Sequence, residues 1–418
     1  MKQYLEGIRF IFENGVHKGD RTGTGTQSYF GTQERYNLKE GFPLVTTKFV
    51  DLDKIIAELK WFLEGSTDNN YLNELGTKIW NEWALTEADL DKHYTLSLDE
   101  RTPDTWGDEQ RVVDINMEYD HSDLSNEFYV LDDEVDKHEF LDRLGIPRTK
   151  TYRELGRKVG ELGPIYGKQW RSWACPDGTT VDQIAEVIHL LKTKPDSRRL
   201  LVSAWNPADL PDESLSPQDN VLNGKAALPA CHTFFQFYSK ESPLDEIIDR
   251  IFEDDLAELF DERVGALRSD SIIDGWSTAG DIGLVKGGGF RHPDYKRKTI
   301  EFAIEHKVPV RDLSCQVYIR SNDCFLGKPY NIASYALFTH LVAHVTGMSV
   351  GELVYTSGDT HIYSNHREQL KEQLTREPYP LPFLSISPAL TDIFNFDVSH
   401  IKLHNYRHHP KLVGKVAI

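Results

Sequence analysis

Hydrophobic residues recur at helical spacing in some parts of the chain and alternate with polar residues in others. Ile55, Leu59 and Phe62 share one face of residues 51–65, and Gly65 supplies a stop, so this pattern predicts a helix. Similar patterns predict helices near 181–193, from 244 and over 332–346. Alternation predicts strands over 199–205, 232–238, 313–320 and 352–356. After the last strand we expect an irregular C-terminal tail.

Three acidic stretches interrupt this regular pattern, at about 85–160, 209–227 and 239–312. They carry formal charges of roughly −10, −3 and −6, which accounts for the net charge of −19 on the whole chain. The acidity therefore belongs to these intervals. We predict a single domain over residues 1–418 that carries them as insertions, to which the sequence assigns no role. The glycine triplet at 287–289 lacks the flanking strand and helix of a phosphate loop, which favours a surface loop.

Composition narrows the class of protein. The chain has 418 residues, of which 39% are hydrophobic, enough for a substantial core. It contains no run of about 18 apolar residues and begins with an amphipathic pattern, so we expect a soluble, cytoplasmic protein with no membrane partner. The negative charge argues against general nucleic-acid binding. Four cysteines without CxxC or metal-type spacing suggest neither a zinc site nor a disulfide framework.

One cysteine lies where a nucleophile could act. Cys231 stands at the mouth of the alternating strand that begins at His232, and a thiolate there could attack an electron-poor carbon if cations lower its pKa. The alternative is a small core residue. Cys315 alternates with Leu313 and Val317, which favours packing.

Two further polar residues occupy unusual positions. Glu58 falls on the apolar face of the first predicted helix, where a carboxyl group either finds a cation or has a raised pKa suited to acid–base work. Asn331 stands at the start of the predicted helix over 332–346. It either caps that helix or reads the edge of a base, and the sequence leaves both open.

Arginines stand out in segments otherwise built for burial: Arg21, Arg198, Arg199 and Arg320. Guanidinium groups match phosphate oxygens bidentately, so four that converge would form a phosphate site. Taken singly, each is more often part of a surface salt bridge. Spacing alone does not decide between these interpretations.

Several motifs, in this order, resemble the thymidylate synthase family. They cover both ends of the chain and everything between except the three acidic intervals, namely 20–26 (DRTGTGT), 42–48 (FPLVTTK), 166–170 (YGKQW), 195–199 (PDSRR), 231–232 (CH), 320–321 (RS), 331–337 (NIASYAL), 358–366 (GDTHIYSNH) and 416–418 (VAI). The resemblance implies an α/β (α+β) fold with a large mixed sheet, through which two subunits pack back to back. It also implies methylation of dUMP to dTMP with 5,10-methylenetetrahydrofolate as cosubstrate, without a metal.

Roles follow from the matching positions. The resemblance assigns Cys231 to attack on the pyrimidine C6, Asn331 to recognition of uracil, and Glu58 and Tyr166 to proton handling. Phosphate and sugar binding fall to Arg21, Arg320, Ser321, His361 and Tyr363, joined by Arg198 and Arg199 from the partner subunit. The implied folate site consists of Ile79, Trp80, Trp83, Leu228, Asp323, Leu326 and Tyr330, closed by Ile418.

Some positions depart from the usual motifs of that family. Phe49 stands where arginine is common near the folate tail, and Ile319 stands where glutamine is usual. Two alternatives follow: a deoxyuridylate hydroxymethylase, which adds water instead of hydride, and an inactive homologue that acts as a binding or scaffold protein. Retention of Trp80 and the terminal VAI favours the reductive reaction.

Overall fold

A computed structural model describes residues 1–20, 23–95, 97–101, 111–116, 127–131, 149–265, 267 and 293–416. Its helices are α1 (Lys2–Asn14), α2 (Leu52–Leu63), α3 (Asn69–Glu74), α4 (Glu87–Leu90), α5 (Tyr166–Arg171), α6 (Gln183–Thr193), α7 (Pro217–Leu222), α8 (Leu244–Glu253), α9 (Ala257–Phe260), α10 (Pro293–Glu305), α11 (Gly327–Thr346) and α12 (Arg367–Leu374). Its strands are β1 (Val16–Lys18), β2 (Thr26–Asn37), β3 (His93–Thr95), β4 (Ser97–Arg101), β5 (Arg111–Asn116), β6 (Glu127–Leu131), β7 (Thr149–Thr151), β8 (Trp173–Ala174), β9 (Thr180–Val181), β10 (Leu201–Ser203), β11 (His232–Glu241), β12 (Arg311–Asp323), β13 (Ser349–Tyr363), β14 (Phe383–Ile386) and β15 (Ile401–His404).

The main sheet has six strands in the order β1-β2-β13-β12-β11-β10. β2 runs antiparallel to both β1 and β13, whereas β12 and β13 are parallel. The long helix α11 connects that parallel pair, as a parallel crossover requires. The predicted large mixed sheet of an α/β protein is therefore confirmed.

The chain divides into two compact units. The first unit comprises Met1–Val50, Val187–Leu201 and Phe235–Ile418, and the second comprises Asp51–Glu186 and Val202–Phe234. Aromatic side chains fill the core of the first unit: the Phe338 ring on α11 lies 5.4 Å from that of Phe235 and 5.6 Å from that of Phe237. Helix α11 ends where Gly347 adopts a left-handed conformation with φ of 69°, which glycine tolerates best.

The second unit is organised around the apolar face of α2. Its Phe62 ring lies 5.3 Å from Trp170 and 4.9 Å from Tyr166, both on α5. Trp61 is fully buried and donates its indole N–H to the carbonyl of Asp68 at 3.0 Å, which removes the cost of burying that polar group. Rings of this size dominate the burial of apolar surface in a small unit.

The third acidic interval contributes a small hydrophobic core of its own within the first unit. The core joins helices α8 and α10 with Phe260, the last residue of α9, and with Val264. Its members are Ile247, Ile248, Ile251, Phe260, Val264, Tyr295, Phe302, Ala303 and Val308. Every third or fourth residue of α8 points into it, which is the pattern that predicted this helix.

A buried carboxylate fixes α8 to the sheet. Asp312 on β12 has a fully buried side chain, yet it accepts hydrogen bonds from Lys39 at 2.6 Å, Arg250 at 3.0 Å and Ser242 at 2.7 Å. Glu246 also pairs with both cations. Burial would raise the pKa of Asp312, but Lys39 and Ser242 outweigh it and hold that pKa below its usual value.

Most elements predicted from periodicity are confirmed. The structure places α2, α6, α8 and α11 and strands β10 to β12 at or within a few residues of the predicted positions. β13 extends to Tyr363, well beyond the predicted end at residue 356. The prediction of an irregular tail is wrong, since helix α12 and the antiparallel pair β14 and β15 follow Tyr363. None of the described helices is long and apolar enough to cross a membrane.

Candidate active site

The second unit holds the cysteine at the opening of β11. Cys231 is half-buried, and its backbone N–H donates to the hydroxyl oxygen of Tyr166 at 2.8 Å. Tyr166 is only 5% exposed and begins α5. Its ring stacks on that of His232 with 4.1 Å between centroids. The main chain at Cys231 is thus held next to the stacked rings of Tyr166 and His232.

His232 is a site feature that the sequence did not single out. Burial lowers the pKa of its imidazole to about 3, so the ring is neutral at physiological pH. It therefore supplies no positive charge to its neighbour Cys231. A thiolate at this position needs cations from elsewhere, such as the predicted arginines.

Glu58 meets the expectation of a perturbed carboxyl group. It is half-buried on α2, and one carboxylate oxygen accepts a hydrogen bond from the indole of Trp80 at 2.9 Å. Burial raises the pKa of Glu58 from 4.5 to about 7, and the Trp80 hydrogen bond only partly opposes that rise. A carboxyl group poised near neutrality can both accept and donate a proton during turnover.

Aromatic residues surround this carboxyl group. Trp80 is 8% exposed, and its ring lies 5.6 Å from Trp83 and 6.0 Å from Tyr166. Ile79 beside it is 46% exposed. Flat, partly exposed rings next to an apolar side chain suit a planar heterocycle such as a pterin.

A small cavity beside Tyr166 brings in polar residues that the sequence analysis missed. Leu228 lines it together with Gln169, Asn206 and Asp209. Asp209 accepts hydrogen bonds from the amide groups of Gln169 at 2.6 Å and Asn206 at 2.8 Å. The YGKQW motif contains Gln169, but Asn206 and Asp209 are more than 30 residues further along, and no short-range pattern links them.

The first unit collects the predicted phosphate and sugar residues at one end of the parallel strand pair. Ser321 on β12 is in register with Asp359 on β13, and Asp323 with His361. Arg320, Ser321 and Asp323 are all half-buried. Parallel strands end at the same edge of a sheet, which is where ligands bind in many α/β proteins.

Asp323 is held by backbone and imidazole groups. Its carboxylate accepts from the N–H of Phe325 at 2.9 Å and of Leu326 at 3.3 Å, and the ring of His366 lies 3.9 Å away. Although burial acts to raise the pKa of Asp323, the imidazole of His366 and the Phe325 amide lower it. The carboxylate is therefore ionised and oriented near neutral pH.

His361 and Tyr363 lie next to each other on β13. Their rings are 5.0 Å apart, and His361 is 6% exposed. Nδ1 of His361 is 3.2 Å from the carboxylate of Asp359, which also accepts from Lys18 at 2.7 Å. The hydrogen bond with His361, with help from Lys18, lowers the pKa of Asp359 to about 2. This arrangement fixes the imidazole of His361 through Nδ1, and its Nε2 has no hydrogen bond to the residues that the structure describes.

The start of α11 shows that Asn331 does not cap this helix. The helix begins at Gly327, so Asn331 is its fifth residue and is not the cap. Asn331 and Tyr330 are both half-buried, as is Leu326 just before the helix. Asn331 therefore lies at the start of the second turn of the helix, which is compatible with recognition of a base edge.

The remaining predicted residues fall into two groups. Arg198 and Arg199 are exposed just before β10, and within the described part of the chain neither guanidinium has a hydrogen bond or ion pair. Arg21 and Ile418 lie outside the described residues. Near the latter, the carbonyl of Lys415 accepts from His366 at 2.8 Å, which ties the tail to the residue that contacts Asp323.

Lys48 is a second residue that the sequence analysis overlooked. Lys48 is 3% exposed and donates a hydrogen bond to the backbone carbonyl of Phe325. Its ammonium also lies 3.9 Å from the centre of the Phe325 ring. Burial lowers the pKa of Lys48 to about 7, although Asp323 opposes the shift. The FPLVTTK motif ends on this residue, and that was its only signal in the sequence.

Among the described residues, no group of three histidine, cysteine or acidic side chains is placed to bind a metal ion. The six-stranded mixed sheet with its connecting helix places the protein in the α/β class. A carboxyl group of pKa about 7, in the unit that also holds a half-buried cysteine, is a feature typical of an enzyme.

Comparison with known proteins identifies the family. The family model described as thymidylate synthase matches residues 2–250 and 298–418. The chain is similar to thymidylate synthases of Listeria monocytogenes serotype 4b (strain CLIP80459) and Listeria innocua serovar 6a, each 37% identical over 418 residues that cover all of both chains. The chain therefore belongs to the thymidylate synthase family.

These comparisons confirm the predicted family and reaction class. The family and the relatives' names favour a methyltransferase over a deoxyuridylate hydroxymethylase. The part of the chain that the family model leaves unmatched, 251–297, falls within the third acidic interval.

Proposed function

We propose that this chain converts dUMP to dTMP with 5,10-methylenetetrahydrofolate as cosubstrate and releases dihydrofolate. The observation that carries the proposal is the pairing of Glu58, whose pKa is about 7, with Trp80 in the unit that also holds Cys231 against Tyr166. That unit offers a nucleophile, a proton-transfer group and an aromatic surface for the pterin. These are the groups that the reaction requires.

Cys231 and Asn331 share the first chemical step. The thiolate of Cys231 adds to C6 of the pyrimidine, and the electron pair of the C5–C6 double bond moves onto O4 as an enolate. Asn331 recognises O4 and N3 and stabilises that enolate by hydrogen bonding. C5 then becomes nucleophilic and attacks the one-carbon unit of the folate.

Proton transfer falls to Glu58 and Tyr166. Tyr166 assists removal of the C5 proton, and Glu58 exchanges protons with the folate and the base. Loss of the folate amine leaves an exocyclic methylene, which takes a hydride from the folate itself. The thiolate of Cys231 then departs from C6, so the enzyme is regenerated and the folate leaves in oxidised form.

Separate groups of residues bind the nucleotide and the folate in this proposal. Arg21, Arg320 and Ser321 hold the phosphate, and His361 and Tyr363 hold the 3′-hydroxyl. Asp323, whose carboxylate is kept ionised by its hydrogen bonds within the protein, orients the folate ring. The wall of the folate site is assigned to Ile79, Trp80, Trp83, Leu228, Leu326 and Tyr330, with Ile418 closing it.

A homodimer completes the phosphate site in this proposal, with Arg198 and Arg199 donated by the partner subunit. Two observations support it. Both arginines are exposed, and the sheet carries exposed aromatic side chains, with Phe30 at 81% and Tyr238 at 64%. A partner sheet packed on such residues would remove apolar surface from water. The cytoplasmic location stays a prediction from the sequence.

Product identification separates this proposal from its alternatives. Purified protein is incubated with dUMP and 5,10-methylenetetrahydrofolate, and the nucleotide product is identified by mass. We expect dTMP, with dihydrofolate formed in equal amount. Release of 5-hydroxymethyl-dUMP with tetrahydrofolate would support the hydroxymethylase instead, and no product from correctly folded protein would support the binding or scaffold role.

A further inference from the structure

A lysine ammonium is buried at the start of α11. Lys328 is 0% exposed, and its Nζ lies 2.5 Å from a carboxylate oxygen of Glu34 on β2. The other oxygen of Glu34 accepts from the hydroxyl of Tyr36 at 2.5 Å. Lysine is among the residues least often fully buried, and it is buried only when paired. This ion pair is therefore a built feature of the first unit.

The surroundings of the pair are shaped to hold it. Gly7 of α1 leaves the space that the pair fills, because a Cβ atom there would overlap the carboxylate of Glu34 and lie 3.3 Å from Nζ of Lys328. Glycine is less favourable than alanine inside a helix. Its presence here fits a position where a larger side chain would overlap the ion pair.

A chain of contacts leads from the pair to the strand end that carries the predicted ligand-binding residues. The ammonium of Lys328 lies 5.9 Å from the centre of the Tyr355 ring, and the hydroxyl of Tyr355 donates to the side chain of Asn322 at 2.9 Å. Asn322 in turn donates to Ser357 at 2.9 Å. Asn322 is fully buried and stands between Ser321 and Asp323. The network thus joins the first turn of α11 to β2, β13 and the end of β12.

Stability alone does not account for such a network. Buried ion pairs can often be replaced by apolar residues of similar volume with no loss of stability, since removing two charges from water offsets their attraction. What a buried pair does supply is a fixed geometry, because neither charge tolerates a shift that separates it from its partner. Although burial would lower the pKa of Lys328, Glu34 raises it, so the pair stays charged at neutral pH.

We propose that the ion pair of Lys328 and Glu34 is a positioning device that sets the rotation and height of the first turn of α11 against the end of β12. Asn331 is three residues after Lys328 and so moves with that turn. The inference rests on the proposed role of Asn331 in reading the uracil edge. A displacement of about 1 Å at a reacting group can cost two orders of magnitude in rate, so the positioning would matter to turnover.

The decisive variant replaces the pair by apolar residues, Glu34→Met with Lys328→Leu. We expect it to fold, with a thermal midpoint above that of Lys328→Leu alone, although the buried hydroxyl of Tyr36 loses its acceptor on Glu34. We also expect kcat with dUMP to fall about tenfold or more, and the preference for dUMP over dCMP in kcat/KM to weaken by a similar factor. The single variant Lys328→Leu strands a buried carboxylate and should lose stability, which the second substitution restores without restoring kcat.

Asp312, at the start of β12, provides a matched control, because it lies at the opposite end of that strand from Ser321 and Asp323. Asp312→Asn weakens a buried ionic cluster that contacts neither the start of α11 nor the end of β12. It should lower the thermal midpoint while kcat and the base preference stay at wild-type values. This control separates loss of positioning from a general loss of stability.

The outcomes distinguish the inference from the function on which it rests. Asn331→Asp is assayed in parallel, and it should change the base preference. If it does so while the apolar pair variant keeps wild-type kcat and preference, the pair is only structural and the inference is overturned. If Asn331→Asp changes nothing, the proposed base recognition fails first. Should the apolar variant not fold, Glu34→Gln with Lys328→Met decides. It removes the ion pair while the amide oxygen can still accept from Tyr36, and unchanged kcat and preference would likewise overturn the inference.

Discussion

Glu58 carries the clearest pH dependence at the scale of single residues. Its pKa rises from 4.5 to about 7 through burial in the folded protein, so between those values the folded state binds more protons than the unfolded state. The stability that Glu58 contributes is therefore fully present below pH 4.5 and is lost as the pH rises through 7.

We predict that the wild type loses up to about 3 kcal/mol of unfolding free energy from this group between pH 4.5 and 7.5. Glu58→Gln, which cannot ionise, should lack that loss and become the more stable protein at pH 8. Urea unfolding of both proteins at a series of pH values measures the difference. Parallel curves for the two proteins would contradict the raised pKa.

Replacing the proposed nucleophile tests the first chemical step. Cys231→Ser should lower kcat by on the order of 10³-fold or more, since a neutral hydroxyl is a far weaker nucleophile than a thiolate. The hydrogen bond to Tyr166 comes from the backbone N–H, so the variant should keep the local structure. Circular dichroism and dUMP binding provide the control. Near-normal turnover would rule out covalent catalysis by this residue.

Base recognition by Asn331 has its own test. Asn331→Asp should shift the preference from dUMP toward dCMP by one to two orders of magnitude in the ratio of kcat/KM, because a carboxylate accepts a hydrogen bond from the cytosine amine and repels O4 of uracil. Steady-state kinetics with both nucleotides give the ratio. An unchanged ratio would remove Asn331 from this role.

Single residues differ in how far sequence alone reveals them. Glu58 could be found because a carboxyl group breaks an apolar helical face, and Cys231 because it opens an alternating strand. His232 and Lys48 could not, since their perturbed pKa values arise from burial by residues distant in sequence. The hydrogen bonds that Asp209 accepts from Gln169 and Asn206 could not be predicted either, because Gln169 is 40 residues away in the sequence.

At the scale of elements, α8 depends on two supports, the small core of the third interval and the buried Asp312. Ile251 is fully buried in that core. We predict that Ile251→Ala lowers the unfolding free energy of this region by about 2–5 kcal/mol. Native-state hydrogen exchange should show faster exchange in α8 and α10. Exchange that stays at wild-type rates would mean that the ionic cluster alone holds α8.

A matched surface change provides the control for that prediction. Asp249→Ala lies on the same helix as Ile251, and within the described residues its carboxylate has no hydrogen bond or ion pair. Asp249→Ala should change the unfolding free energy by no more than about 0.5 kcal/mol. The comparison isolates the contribution of the buried side chain from any change in helix propensity.

Periodicity located the elements but misjudged some of their ends. The apolar pattern of α11 begins at Ile332, yet the helix starts five residues earlier at Gly327. Pro329 is tolerated there because the first turn of a helix leaves its N–H groups without internal partners. The elements after Tyr363 were missed because α12 exposes mostly polar residues and the pair β14 and β15 is only four residues long.

At the scale of the whole molecule, the proposed dimer has shared phosphate sites. Two individually inactive proteins, Cys231→Ser and the double variant Arg198→Ala with Arg199→Ala, should recover activity when their subunits are exchanged. A hybrid dimer contains one site that lacks both the thiol and the arginines, and one complete site. Recovery up to about half the wild-type activity per hybrid follows if the sites work independently.

The control for this mixing experiment is each variant exchanged with itself, which should stay inactive. Formation of hybrids is verified by mass spectrometry under native conditions. Hybrids that stay inactive would show that the arginines act within their own subunit or that the two sites cannot work singly. Either result would remove the support for shared sites.

The two ends of the third interval meet at the sheet. Ser242 follows the end of β11 and donates its backbone N–H to the carbonyl of Val310, just before β12, at 3.0 Å. The chain therefore leaves and re-enters the sheet at adjacent points. A change in chain length between α8 and α10 would leave the register of β11 and β12 unchanged, provided that Arg250 on α8 still pairs with Asp312 and the core of this interval stays filled.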